Sequence, residues 1–209
     1  MNNTNSAGRA ANDRTYKMAL LAVLVALTLV MSFTPIGYLR IGFLSITLLS
    51  IPVAVSAAKL GYLGGGVVGL LFGITSFAQC FGMDAFGTAL FSLKPFPTFI
   101  ICVVSRLLCG LGAAAIYKLC NVKAKKPRII SYAASGIAAP FLNTLFFLSF
   151  LALFFGNTPV TVGEVELDVV KAVVLPALSL NSVLEIVICS VLSFGVLMAL
   201  AQVEKRTRR

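Results

Sequence analysis

Gly61-Tyr-Leu-Gly-Gly-Gly-Val-Val-Gly-Leu-Leu-Phe-Gly73 places glycine at 61, 65, 69 and 73, every fourth residue of an almost wholly apolar run. Two readings compete for it. Gly64, Gly66 and Gly69 satisfy the G-x-G-x-x-G string of dinucleotide-binding folds, which needs a preceding strand and an acidic residue about 20 positions on. Alternatively, residues four apart stack on one helix face, and glycine there lets a second helix approach closely. Asp84 falls near the required distance, but the surroundings read as apolar helix, so the nucleotide reading is set aside.

Composition supports the second reading. Of 209 residues, 59% are hydrophobic and 11% charged, against about a quarter charged in soluble domains. A water-soluble fold of this size cannot hide so much apolar surface. The chain therefore belongs in a bilayer. Five cysteines, Cys80, Cys102, Cys109, Cys120 and Cys189, form no C-x-x-C pair, and there is no histidine. That pattern predicts neither a metal site nor a cofactor. Cysteine in apolar runs acts as a small hydrophobe. The first apolar run leads to further spans rather than to a cleavage site, so no secretory signal is expected.

A spanning helix needs about 20 apolar residues. Six candidates follow, at about 17–34, 43–59, 61–78, 97–119, 129–154 and 178–202. The expected fold is an all-α bundle of six transmembrane helices. A tail at 1–16 precedes the membrane domain at 17–202, and a basic tail at 203–209 follows it. The second and third helices, joined only by 59–61, form a tight hairpin. With both termini cytoplasmic, thirteen Lys and Arg lie inside and three (Arg40, Lys94, Lys171) outside, a strong positive-inside bias. The net charge of +10 thus sits on membrane-flanking segments, where anionic lipid headgroups, not nucleic acid, are its counterions. The expected location is a cytoplasmic membrane, crossed several times.

The glycines at 61, 65, 69 and 73 are expected to build intramolecular packing, with the hairpin supplying a neighbouring helix. A second small-residue face, Ala19, Ala22 and Ala26, lies on the first helix.

Two ionisable residues sit within predicted spans, Arg106 on the fourth and Glu185 on the sixth. Their cost in hydrocarbon makes a functional or paired role the default. With Asn143 on the fifth helix, they lie roughly 10–18 Å below the outer surface, in one layer. Asn181, Glu185, Cys189 and Ser193 give the last helix one polar face. Cys102, Cys109 and Gly110 leave room beside the guanidinium, and Pro140 near Asn143 frees a backbone carbonyl. One reading is an outward-facing cavity for a small carboxylate, which guanidinium binds through two parallel hydrogen bonds. The other is an Arg106–Glu185 pair that only pins two helices together. The outer loops Phe81-Gly-Met-Asp-Ala-Phe-Gly87 and Phe91-Ser-Leu-Lys-Pro-Phe-Pro97 add Asp84 and Lys94, and Arg40 follows the first helix. These loops read either as a lid over the cavity or as segments resting in the headgroup region. The acidic residues Glu164, Glu166 and Asp168 read as a solvated face.

No G-x-x-x-x-G-K-[ST] phosphate loop is present, nor a nucleophile and base set in a soluble segment. Uphill transport by this chain needs an ion gradient or a partner that hydrolyses ATP. Six spans without an inverted repeat favour the partner.

The chain resembles the S components, or substrate-binding subunits, of energy-coupling factor (ECF) vitamin transporters of bacteria and archaea, over roughly residues 15–202. The resemblance rests on six hydrophobic spans with basic ends and on Ala22-Val-Leu-Val-Ala26, which fits the family's A-x-x-x-A on the first helix. It rests also on the glycine-rich hairpin from Ile51 to Ser76, followed by Phe81–Gly87 and a Pro-x-Pro into the fourth helix. The resemblance implies a non-enzymatic vitamin-binding subunit with an outward pocket, associated with a membrane coupling (T) subunit and two cytoplasmic ATPases. It implies that Ala22 and Ala26 meet the coupling subunit. The closest likeness is to pantothenate-type members, which Arg106 also favours, with folate next. Two alternatives from other classes stand beside it. One is a membrane scaffold whose small-residue faces only bind partners. The other is an intramembrane enzyme using Glu185, which lacks a second catalytic group.

Overall fold

The computed structural model describes residues 3–41, 44–123, 129–156, 158–162, 165–168 and 182–207. Among these, five helices are long and apolar enough to cross a membrane: Asp13–Phe33, Ser50–Gln79, Pro95–Asn121, Ile129–Phe155 and Ser182–Arg206. They belong to an all-α architecture with two small β hairpins. In chain order, α1 (Asn3–Phe33) leads into β1 (Tyr38–Ile41) and β2 (Leu44–Thr47), paired antiparallel with Arg40 opposite Ser45. Next come α2 (Ser50–Gln79) and the short α3 (Ala85–Leu93). The following rod consists of α4 (Pro95–Phe99), a π-helical turn (Ile100–Val104) and α5 (Ser105–Lys123). After α6 (Ile129–Phe155), strands β3 (Pro159–Val162) and β4 (Val165–Asp168) form the second hairpin, and α7 (Ser182–Thr207) ends the chain.

A helix beginning at residue 43 is not what forms. Residues 44–47 are strand, and α2 begins at Ser50. Pro52 explains the difference. In a helix from 43 it would lie in the interior, lacking an N–H and clashing with the carbonyl four residues back. Starting at Ser50 puts it in the first turn, where its missing donor costs nothing.

At Gly61, inside α2, the backbone leaves helical geometry with φ 68° and ψ −148°, a region open essentially to glycine alone. The arms on either side, 50–60 and 62–79, fold back on one another at that point. A Cβ built on Gly64 would lie 2.8 Å from the Ser56 carbonyl oxygen, and one on Gly65 3.3 Å from Ala57 Cβ. Residues eight apart in a straight helix are about 12 Å apart. The hairpin read from the sequence is therefore present as a bend, with a first arm of only 11 residues. Gly61 belongs to that bend and not to the packing ridge, which reduces to Gly65, Gly69 and Gly73.

The ridge faces a different partner from the one expected. Side chains at Gly69 and Gly73 would come within 2.6 Å of the Arg106 carbonyl oxygen and 2.8 Å of Val103 Cα, and one at Gly65 would collide with the Gly110 carbonyl. So α2 packs backbone to backbone on α5 and the π turn, not only on its own first arm. Val53, Val68, Phe72, Ala113, Ala139 and Leu197 fill the shared core. Polar glue of the kind seen between membrane helices joins the rest. Ser135 Oγ donates to the Ala54 carbonyl (3.1 Å), and Ser190 Oγ to that of Gly136 (3.4 Å), the carbonyl that Pro140 leaves without its helical N–H. At the bend end, Lys59 Nζ donates to Glu204 Oε2 (2.9 Å) and Tyr132 Oη (3.3 Å), while Tyr16 Oη donates to Glu204 Oε1 (2.9 Å).

Gly61→Ala is expected to destabilise the fold by about 1–3 kcal/mol, because no ordinary residue accepts that backbone conformation. No atom lies within 4 Å of the added methyl, so the whole loss is conformational. Gly66→Ala, five residues on in regular helix with its nearest neighbour 3.4 Å away, should be neutral or stabilising by up to about 1 kcal/mol. Thermal unfolding of the detergent-solubilised variants checks the opposite signs.

Candidate functional site

Arg106 enters the site from the first turn of α5, directly after the π turn. A π turn carries an extra residue and re-aims the groups that follow it. Here it presents the Ile101 carbonyl to the guanidinium, whose Nη1 donates to it at 2.8 Å and to Ser105 Oγ at 3.1 Å. Ser105 Oγ donates to the same carbonyl. The guanidinium also lies between the rings of Phe72 and Phe147, 5.3 and 5.0 Å from their centroids, within cation–π range. Arg106 is 6% exposed, and its Nε has no hydrogen-bond partner.

Asn143 on α6 and Glu185 in the first turn of α7 stand across the same space. Asn143 Nδ2 donates to Glu185 Oε1 at 3.3 Å, and the Thr47 N–H, brought in by β2, lies 3.4 Å from Oε2. Glu185 stands in the first turn of α7, at the positive end of the helix dipole, which is favourable to a carboxylate. Asn143 Oδ1 is buried without a partner. Arg106 and Glu185 do not touch; among the described residues the ion pair within 4 Å is Lys59–Glu204. The arginine and the carboxylate face a common cavity rather than closing on each other. Arg106, Asn143 and Glu185, from three predicted spans, thus line one cavity.

That cavity, about 120 Å³, is lined also by Tyr38, Gln79 and Asp84. A second cavity of about 390 Å³, bounded by Ser32–Pro35 and Met83, shares Tyr38 and Gln79 with it. The Tyr38 hydroxyl is buried in the cavity wall, beside Ser76. Burial pushes its pKa up to about 12, against the opposing pull of the nearby Arg106 charge. It therefore stays a neutral phenol, able to donate, throughout the physiological range. Gln79 is held by its amide, Nε2 donating to the Ser32 carbonyl (2.6 Å), and Ser32 Oγ donates to Thr75 Oγ1 (2.9 Å).

The remaining candidates divide. Asp84 lines the cavity but is engaged as the N-cap of α3, Oδ2 accepting from the Gly87 N–H at 2.7 Å. Lys94 is not part of the lining. Its ammonium donates to the Phe154 carbonyl and to Thr158 Oγ1, both at 3.0 Å, neutralising the carbonyl end of α6. Arg40 lies on β1, with its side chain outside the described residues, and Asn181 also lies outside them. Behind Glu185, Cys189 and Ser193 are fully buried, so the polar face of α7 turns inward. Ala19, Ala22 and Ala26 are exposed on the outer face of α1, away from the cavity. Tyr38, Thr47 and Gln79 were missed by sequence reasoning. The 38–47 segment reads there as loop and helix start. For Gln79 a signal existed: Thr75 and Gln79 are four apart on α2, as Thr28 and Ser32 are on α1.

No curated relative matches the chain. The family model for the ECF transporter, substrate-specific component, matches residues 16–197, and the chain belongs to that family.

Proposed function

We propose that this substrate-specific component captures a small vitamin acid, pantothenate first and folate next, with the carboxylate against Arg106. Membership of the family makes the chain a substrate-binding membrane subunit of an ECF transporter, not an enzyme, and implies a vitamin ligand with T and ATPase partners. The finer reading rests on one observation: a buried guanidinium Nε and a buried Asn143 Oδ1 line the same cavity with no partner of their own. Unpartnered buried polar groups cost about 1–3 kcal/mol each, and a ligand with an anionic acceptor and a neutral donor relieves both. Pantothenate carries a carboxylate, hydroxyls and an amide N–H. The donors suit Asn143 Oδ1 and Glu185, whose carboxylate would repel a second acidic group.

In the orientation that places both termini in the bacterial cytoplasm, the Gln79 end of α2 faces outward, and Tyr38 and Gln79 stand between an inner cavity and an outer one. The sixth membrane crossing is supplied by the two arms of α2. ATP hydrolysis in two partner subunits drives transport through a T subunit that docks on the exposed Ala19, Ala22 and Ala26. The tails contact lipid headgroups and no nucleic acid.

Calorimetry of the purified chain against a vitamin panel, without ATP, tests the ligand; a panel-wide blank would return the chain to the scaffold reading. Ala22→Leu should leave ligand affinity within about twofold while reducing copurification of the T subunit about tenfold or more, since close helix contact needs small residues. Undiminished copurification would remove this face from the interface.

A further inference from the structure

Cys80, at the C-terminal end of α2, and Cys102, in the π turn, hold their sulfurs 3.8 Å apart. Both line the inner cavity, and both are otherwise buried, at 3% and 6% exposure. Gly87 of α3 makes the space for one of them: a Cβ there would stand 2.8 Å from Cys80 Sγ. The other cysteines are engaged apart from this pair. Cys109 Sγ donates to the Ala139 carbonyl and Cys189 Sγ to that of Thr47, and Cys120 is half-buried on α5. A disulfide needs its sulfurs at about 2.05 Å, so a shift of under about 2 Å separates this contact from a bond.

We propose that Cys80 and Cys102 are a reversible thiol–disulfide site reached through the ligand cavity. The oxidant is a low-molecular-weight disulfide, RSSR. One cysteine thiolate attacks it, releasing RSH with the cysteine's proton, and the second thiolate displaces the other RSH from the mixed disulfide. The protein loses two electrons and two protons, and RSSR becomes two RSH. The new bond ties the end of α2 to the π turn that holds the Ile101 carbonyl on Arg106 Nη1. The redox state is thereby transmitted to the guanidinium. The proposal draws on the functional reading above only for the side from which the oxidant arrives; the bond itself is independent of the ligand.

The folded, detergent-solubilised chain is incubated with 2-hydroxyethyl disulfide, a reagent small enough to enter the cavity, then acid-quenched, unfolded, alkylated with excess N-ethylmaleimide, digested and analysed by mass spectrometry. The expected result is a fall in alkylatable thiols from the five of the reduced chain to three, a Cys80–Cys102 cross-linked peptide, and full reversal by dithiothreitol. Cys80→Ser and Cys102→Ser should each retain a stable mercaptoethanol adduct on the remaining partner. Two persistent adducts in the wild-type chain, a cross-link to another cysteine, or thiols that react only after unfolding would overturn the proposal. The wild-type peptide map decides the matter even where a serine variant folds poorly.

Discussion

Arg106→Ala is expected to lower affinity for a carboxylate vitamin at least about 100-fold, close to 3 kcal/mol, since charge-assisted hydrogen bonds contribute about 1.5–3 kcal/mol each. Its Nη1 is anchored to Ile101 and its guanidinium lies between the rings of Phe72 and Phe147, so the substitution also opens space in the cavity wall. Thermal unfolding without ligand separates that loss from binding. Arg106→Lys keeps the charge but not the planar fork, and should fall between the two. Titration with pantothenate and with a neutral amide analogue reads the result. If the wild-type chain does not distinguish acid from amide, or if the alanine variant binds the acid as tightly as wild type, the carboxylate assignment fails.

Gly69→Leu carries the larger structural penalty. Its first added carbon would stand 2.6 Å from the Arg106 carbonyl oxygen and 3.4 Å from Gly110 Cα, contacts to backbone that cannot rotate away. The helices must separate, and overpacking of this kind costs about 1–3 kcal/mol or more. Because the clash is with the residue that carries the guanidinium, ligand affinity should fall together with stability. Gly66→Leu on the outer side of the same helix, whose added Cβ would be 3.4 Å from the Leu111 side chain, should cost far less. Unfolding temperature and ligand titration on both variants, in the same detergent, give the comparison. Equal losses at 66 and 69 would remove the close-packing account of the glycine ridge.

Composition and helical spacing carried much of the architecture. Apolar length placed the long helices, and the depth of Arg106, Asn143 and Glu185 from their helix ends put them in one layer, where the structure brings them to one cavity. What spacing could not give is where a helix declines to form. The run from 43 to 49 is apolar enough to continue a span, yet Pro52 moves the helix start to Ser50, and the strand that results delivers Tyr38 and Thr47 to the site. Gly61 shows a similar limit. Its fourfold spacing with Gly65, Gly69 and Gly73 is real, but a glycine needed for its backbone and one needed for its missing side chain look identical in sequence. Lys94 beside aromatic and proline residues resembles a lid contact, and only the fold reveals the helix end it caps.

The π turn at Ile100–Val104 gives the guanidinium a foothold before any solute arrives. Immobilising a free arginine forfeits about 1.5–2 kcal/mol of rotamer freedom; here that loss falls on folding, so a carboxylate bound as proposed would meet an arm already ordered.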